Sequence, residues 1–362
     1  MLKLCYKAWF LITKCDKFKK QHRKRPYKHF EFLRQFWFYR RNGTPEHDNN
    51  LATPIKMAIF VMKKTDESMT GKFFHIFRNH LLYIIAVTSL GVTGSAAAQT
   101  DVTWHNESAD TTKITRILVD EASDARPGSM SRIGRRFIDT PYEANTLESD
   151  GPERLQVNLD GMDCTTFVET VTALALTARE HRQSWQDFLY NLEGVRYRNG
   201  RADGYPSRLH YMSAWILDNV SRGNLREVTG DMPGVRHRIK TLDYMTRHRD
   251  QYPALADSAN FAGMKRVESG FSNFRYPYLK GNSLKNKDLL SMVRDGDIIV
   301  FTSAAEGLDA THVGIAVVDD DTVRLLHASS KAGKVVIDEL SLADYLRRNR
   351  TDGIRIVRLP AQ

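Results

Sequence analysis

The hydrophobic pattern of this chain changes period at Asp295-Gly296, and that change restricts the folds open to it. After it, five stretches alternate at period two: DIIVFTS (297–303), THVGIAVV (311–318), TVRLLHAS (322–329), KVVIDE (334–339) and GIRIVRL (353–359). One short helical stretch, SLADYLRRN, separates the last two. Before it, apolar residues recur at helical spacing. A helical pair interrupted at Arg126-Pro-Gly runs from Thr115 to about Phe137, behind a polar, frayed 99–112. The run after Asp163 puts Phe167, Val168, Val171, Leu174 and Ala178 on one helix face. WQDFLYNLEGVRY and SRLHYMSAWILDNV (207–220) read as further helices. PYEANTLESDGPERL (141–155) reads as loop, QVNLDGM (156–162) as a short strand, and 221–290 as mixed and rich in aromatics. These assignments rest on period alone. Helices first and an antiparallel meander after them make an α+β layout, with the N-terminal helices packed on a C-terminal antiparallel sheet.

The charge is unevenly placed. The formal net charge of +10 invites a nucleic-acid reading, but residues 1–98 hold 18 Lys and Arg against 6 Asp and Glu. The remainder holds 35 against 37, so the body of the chain has no electrostatic footprint for nucleic acid. Within the basic part, 69–98 has Lys72 and Arg78, then the apolar run LLYIIAVTSLGV, then Ser95-Ala-Ala-Ala98. That is the layout of a secretory signal. The run is too short to span a bilayer, which takes roughly 20 residues, and Gln99 rather than a cysteine follows the expected cut. Residues 1–68 then read as an over-extended start or a basic leader, with Met57, Met62 and Met69 as candidate starts. The expected product is one exported domain, 99–362, periplasmic or secreted, without a stable membrane anchor after cleavage.

Export sharpens the cysteine count. Cys5 and Cys15 fall in the leader, which leaves Cys164 alone downstream. A lone thiol in an oxidising compartment is buried and inert, paired between molecules, or reactive. Its neighbours favour the last. Asp163 is an N-cap residue type, which puts Cys164 at the first helical position. There the free amides and the positive end of the dipole are expected to lower the thiol pKa and to hold a developing oxyanion.

A cysteine nucleophile needs a base. Of the seven histidines after residue 98, His312 and His327 are the two that interrupt apolar strands. If Asp319-Asp320 form a two-residue hairpin loop, position 318 pairs with 321 and His312 lies directly opposite His327. Cys164, His312 and His327 would then make a Cys-His-His triad. The same atoms could hold zinc with an open fourth position, but the sequence shows no close ligand pair, and neither metal nor cofactor is expected.

DGMDCTTFVETV (160–171), RDGDIIVFTS (294–303), THVGIAVV and LLHASS (325–330) together resemble the NlpC-type, papain-like cell-wall cysteine peptidases. The resemblance implies a papain-like fold, with Cys164 as nucleophile, His312 as general base and His327 as the orienting third member. TPYEANTLE (140–148), VNLDGMDCTTFVE (157–169) and RYRNGRADGYPSRLHYMSAWI (196–216) are similar to the N-acetylmuramoyl-L-alanine amidase-like branch, over roughly 130–360. That branch implies a peptidoglycan or muropeptide substrate cut at the N-acetylmuramoyl–L-alanine amide. The chain departs from compact NlpC-type members at Tyr142-Glu-Ala-Asn-Thr146, at Asp163-Cys-Thr-Thr166, and in its long Cys-to-His separation. A segment at about 180–290 is therefore expected to be an insert that builds substrate walls. Candidate substrate contacts are Tyr142 and the cluster Tyr205, Ser207, Arg208, His210 and Tyr211, with Arg208 suited to clamp a carboxylate. The alternatives are γ-D-glutamyl–diamino acid cleavage by the same fold, a zinc hydrolase, and a non-catalytic cell-wall-binding domain.

Overall fold

In chain order the elements are β1 (Val102–Trp104), α1 (Glu107–Ala122), α2 (Met130–Arg135), β2 (Leu155–Val157), α3 (Cys164–Arg179), α4 (Trp185–Arg196) and α5 (Met212–Ser221). Then follow β3 (Arg226–Glu227), β4 (Arg236–Lys240), α6 (Ser258–Ser269), β5 (Phe274–Lys280) and β6 (Ile298–Thr302). The chain finishes with β7 (Ala310–Asp319), β8 (Thr322–Ser329), β9 (Lys334–Ser341), α7 (Leu342–Arg348) and β10 (Gly353–Arg358). This computed structural model describes residues 101–361 apart from 127, 149–150 and 321. The leader and signal read in residues 1–98, with Cys5 and Cys15, lie outside the described residues. No helix among the described residues is long and apolar enough to cross a membrane.

The sheet order is β4-β5-β10-β6-β7-β8-β9, with β3 also paired to β10, and the pairs are antiparallel. Mixed helices and an antiparallel sheet match the α+β expectation. The aromatic 221–290 region, which the period leaves mixed, supplies β4 and β5, and these extend the sheet past β10. Two upstream readings also change. Residues 102–104 form β1, parallel to β2, and α1 starts at Glu107 because the Asn106 side chain accepts the N–H of Ala109. The 156–162 strand is cut to Leu155–Val157, because Asn158 Oδ1 turns the chain by accepting the N–H groups of Asp160 and Gly161.

Both faces of the sheet are covered. Val313, Ile315, Val317, Leu326 and Ala328 pack with Phe167, Val171 and Leu174 of α3 in one core. Ile299, Phe301, Ala316, Leu325 and Ile356 pack with Leu342 and Leu346 of α7 in the other. Alternate residues of β7 and β8 thus feed opposite cores, as a period of two requires. Helix α3 is buried nearly all round, and its Thr172 and Thr177 hydroxyls donate to the carbonyls of Val168 and Ala173. Glu169 on α3 is fully buried and paired with Arg196 of α4 at 2.6 Å, and Arg196 also donates to the Gln156 carbonyl. Removing one partner of such a pair costs about 3–5 kcal/mol, which fixes α3 against α4. The first turn of α3 is held in register with the sheet.

Candidate active site

Asp163 caps α3 as its residue type suggests. Its Oδ1 accepts the Thr166 N–H at 2.8 Å, and Thr166 Oγ1 accepts the Asp163 N–H at 3.0 Å, a reciprocal capping box. Cys164 follows as the first helical residue, half-buried and with a free thiol. The segment before it is stitched down: Met162 N–H donates to the Pro141 carbonyl and Tyr142 N–H to the Gly333 carbonyl. Tyr142 thereby lies close enough to Cys164 for the thiolate charge to raise its phenol pKa, after the larger effect of burial.

The thiol meets β7 where that strand leaves its neighbour. The β7–β8 ladder runs from Asp319↔Thr322 to Ile315↔Leu326 and stops, although both strands continue. The Val313 N–H, outside that ladder, is among the groups near Cys164 that favour its thiolate. Burial pushes the thiol up to about 11, Asp163 adds to the rise, and the N–H of Val313, the Thr165 side chain and the Cys164 N–H oppose it. This corrects the expectation of a lowered thiol pKa: the helix end helps the anion, but desolvation outweighs it.

Beside Val313 stands His312, whose Nε2 lies 2.7 Å from His327 Nδ1. The register behind this pair differs from the expected one. The hairpin closes at Asp319↔Thr322, one position along from a closure at 318 and 321, which slips the register of the two strands by two. A shift of two keeps both histidines on one face, so they meet diagonally instead of directly opposite. Gly314 makes the diagonal contact possible. A Cβ there would lie 2.8 Å from Leu325 Cδ1 and 3.0 Å from His327 Cβ. Burial lowers both imidazoles, His312 to about 3 with help from the nearby His327, and His327 to about 4. Thiol and imidazoles are therefore neutral together at neutral pH.

Aromatic rings hold the pair. Phe301 of β6 lies against His312 at 5.4 Å between centroids, and Tyr345 of α7 lies edge-on to His327 at 5.5 Å. Burial, then the charges of Asp338 and Cys164, push the Tyr345 phenol up to about 12. A cavity of about 470 Å³ opens on the histidine side, lined by His312, His327, Asp338 and Tyr345 and rimmed by the exposed Lys331, Arg348 and Arg350. Cys164 is not part of its lining; it reaches β7 from the α3 side. Among the described residues no group of three or more His, Cys, Asp or Glu side chains is placed to hold a metal ion.

The remaining substrate-contact candidates make contacts within the fold, although the buried Tyr205 hydroxyl has no hydrogen-bond partner. Arg208 is 5% exposed, donates to the Leu147 carbonyl and to Glu148, both at 2.7 Å, and faces Glu153 at 3.5 Å. Its charge is already neutralised, so it is not free to clamp a carboxylate. His210 Nε2 contacts the Tyr205 carbonyl at 3.0 Å, and the Tyr205 and His210 rings lie 4.5 Å apart. Tyr211 donates to Glu268 and accepts the Met245 N–H, while the Ser207 hydroxyl closes a turn onto the Gly204 carbonyl. None of the five lines the cavity beside the histidines. Period reading passed over Gly314, Asp338 and Tyr345. The alternation that places Val336 opposite His327 puts Asp338 two residues on along the same face, which is the one signal that pointed to it.

Residues 132–354 match the family described as N-acetylmuramoyl-L-alanine amidase-like. No curated protein matches the chain. Among solved structures, the chain is similar to two crystal structures of an N-acetylmuramoyl-L-alanine amidase from Bacteroides uniformis ATCC 8492. One is 40% identical with a TM-score of 0.61, over 65% of this chain and 100% of that one. The other is 41% identical with a TM-score of 0.61, over 64% and 98%. A Legionella pneumophila protein shares the fold at 24% identity and a TM-score of 0.54, over 70% of this chain and 96% of that one. The family match spans well over half the chain, and it contains the capped Cys164 helix and both histidine strands: this chain belongs to the N-acetylmuramoyl-L-alanine amidase-like family.

Proposed function

We propose that the chain is a cysteine amidase with a papain-like fold that hydrolyses the N-acetylmuramoyl–L-alanine amide of peptidoglycan or its fragments. The observations that carry this reading are the capped Cys164 at the start of α3, the Val313 backbone among the groups that favour its thiolate, and the His312–His327 pair beginning one residue before Val313 on β7. Family membership supports the bond, and the cationic rim of Lys331, Arg348 and Arg350 suits a substrate whose peptide stem carries carboxylates. Tyr142, beside the thiol, serves as a substrate contact in this reading. Export by the 69–98 signal, to the periplasm or beyond, belongs to the same proposal.

In the reaction, His312 Nδ1 takes the proton from the Cys164 thiol as the sulfur bonds to the muramoyl lactyl carbonyl carbon. The carbonyl π pair moves to oxygen, where the Cys164 N–H at the helix end donates to the oxyanion. When the oxyanion collapses, the C–N bond breaks and His312 returns the proton to the departing L-alanine nitrogen. Water, deprotonated by His312, then hydrolyses the thioester and frees the sugar acid and the thiol. His327 holds the His312 ring through Nε2. Because thiol and imidazole start neutral, proton transfer accompanies attack instead of preceding it.

The test is mass spectrometry of products from defined disaccharide tri- and tetrapeptides, with Cys164→Ser as the inactive control. Free sugar plus an intact peptide beginning with L-alanine is the expected result. Sugar still carrying L-Ala-D-Glu would make the chain a γ-D-glutamyl–diamino acid endopeptidase, and wild-type turnover by Cys164→Ser would sink the cysteine mechanism.

A further inference from the structure

The donor chain behind His312 does not end at His327. In the proposed reaction the thiol proton goes to Nδ1 of His312, because Nε2 is engaged with His327. A base must offer Nδ1 without a proton, so the neutral His312 carries its proton on Nε2 and donates it to His327 Nδ1. His327 Nδ1 is then an acceptor, and the neutral ring carries its own proton on Nε2. That Nε2 is buried and has no hydrogen-bond partner, on a residue only 1% exposed. A buried donor without an acceptor is costly and uncommon in native proteins.

One acceptor faces it. Asp338 of β9 has Oδ2 at 3.8 Å from His327 Nε2, and its Oδ1 is fixed by the Leu340 N–H at 2.9 Å. The carboxylate is thus anchored by one oxygen and presents the other across the cavity wall, and a shift of about 1 Å closes the hydrogen bond. Around the His327 ring stand His312 from β7, Tyr345 from α7 and Asp338 from β9, and Asp338 is the carboxylate among them.

We propose that Asp338 is a positioning residue for the reaction: it accepts the Nε2–H of His327 and so holds His312 in the tautomer whose Nδ1 is free to take the thiol proton. Its carboxylate also faces, through His327, the positive charge that His312 acquires during attack. The inference rests on the amidase reading for its kinetic arm and on geometry for its spectroscopic arm. Asp338 is partly exposed and sits at a cavity rim, so its replacement leaves the cores untouched.

The experiment compares the full chain with its Asp338→Ala and Asp338→Asn variants. With muropeptide substrate, Asp338→Ala is expected to lower kcat tenfold or more with KM within twofold. Asp338→Asn, which keeps an acceptor oxygen, recovers part of the loss. Nitrogen-15 NMR of the imidazoles in the same proteins is expected to show His327 protonated at Nε2 in the wild type and a mixture of tautomers in Asp338→Ala. A kcat within twofold of wild type for Asp338→Ala, or a wild-type His327 protonated at Nδ1, overturns the proposal. If the wild type cleaves no muropeptide, the amidase reading falls by itself and the tautomer measurement still decides the role of Asp338.

Discussion

His312 and His327 meet at 2.7 Å although the strands that carry them stop pairing at Ile315↔Leu326, three residues short of His312 and one short of His327. The contact is made by side chains leaning across an open strand junction, and the same opening leaves the Val313 N–H outside the β7–β8 ladder, among the groups that favour the Cys164 thiolate. A hairpin paired to its end would have bonded that N–H in the ladder and left the thiol without it. The proposed chemistry depends on this junction.

Gly314 guards it. An alanine there places its Cβ within 3.0 Å of His327 Cβ and 2.8 Å of Leu325 Cδ1, closer than ordinary carbon contacts. Gly314→Ala is expected to cost about 1–3 kcal/mol of stability by overpacking. It should also cost more than tenfold in kcat as the histidine pair is pushed apart. Thermal unfolding and product kinetics on the same sample check it, and unchanged kinetics would show that the pair tolerates the displacement.

Cys164 should react as a buried thiol. With its pKa pushed up to about 11, the thiolate fraction is small at pH 7 and grows about tenfold per pH unit until that value is approached. Alkylation of Cys164, followed by peptide mass spectrometry, is expected to accelerate steadily from pH 7 to 10. A plateau below pH 8.5 would reveal a preformed thiolate–imidazolium pair instead.

Acid should unfold the protein through its histidines. His312 and His210 are held down to about 3 and His327 to about 4, in each case chiefly by burial. Each folded value lies below the unfolded value near 6.5, so the unfolded chain binds protons that the folded chain refuses. Stability from these groups is complete above pH 6.5 and is lost as pH falls towards the folded values. The slope is up to about 1.4 kcal/mol per pH unit for each histidine. Unfolding midpoints at pH 7, 6 and 5 should fall steeply, and His210→Gln should flatten the slope.

Arg208 separates a structural role from a substrate role. It is buried between Glu148 and Glu153, so Arg208→Met strands at least one half-buried carboxylate and is expected to cost about 3–5 kcal/mol. KM for muropeptide, measured on the folded fraction, should stay within twofold. A KM rise of tenfold at unchanged stability would return Arg208 to the substrate.

Much of this site was legible in the residues themselves. An aspartate before a helix-periodic run marks a cap, and the cap defines where α3 begins and therefore where Cys164 stands. Alternation marks β6 through β10 to within a residue or two, and it puts His312 and His327 on one face under either register, since a slip of two positions conserves parity. Those features are local: caps and periods are settled among residues a few positions apart, so the amino-acid order alone determines them. The rest waits on contacts between distant segments. Arg208 looked free until the loop 61 positions upstream brought the Leu147 carbonyl to it. Cys164 looked acidic until the β7 edge and the core around α3 removed its water. Asp338 looked like one more charge on a strand until pairing of β9 with β8 aimed it at His327. Burial, register and partner choice are properties of the assembled chain, because desolvation and pairing exist only once segments far apart in the sequence have packed.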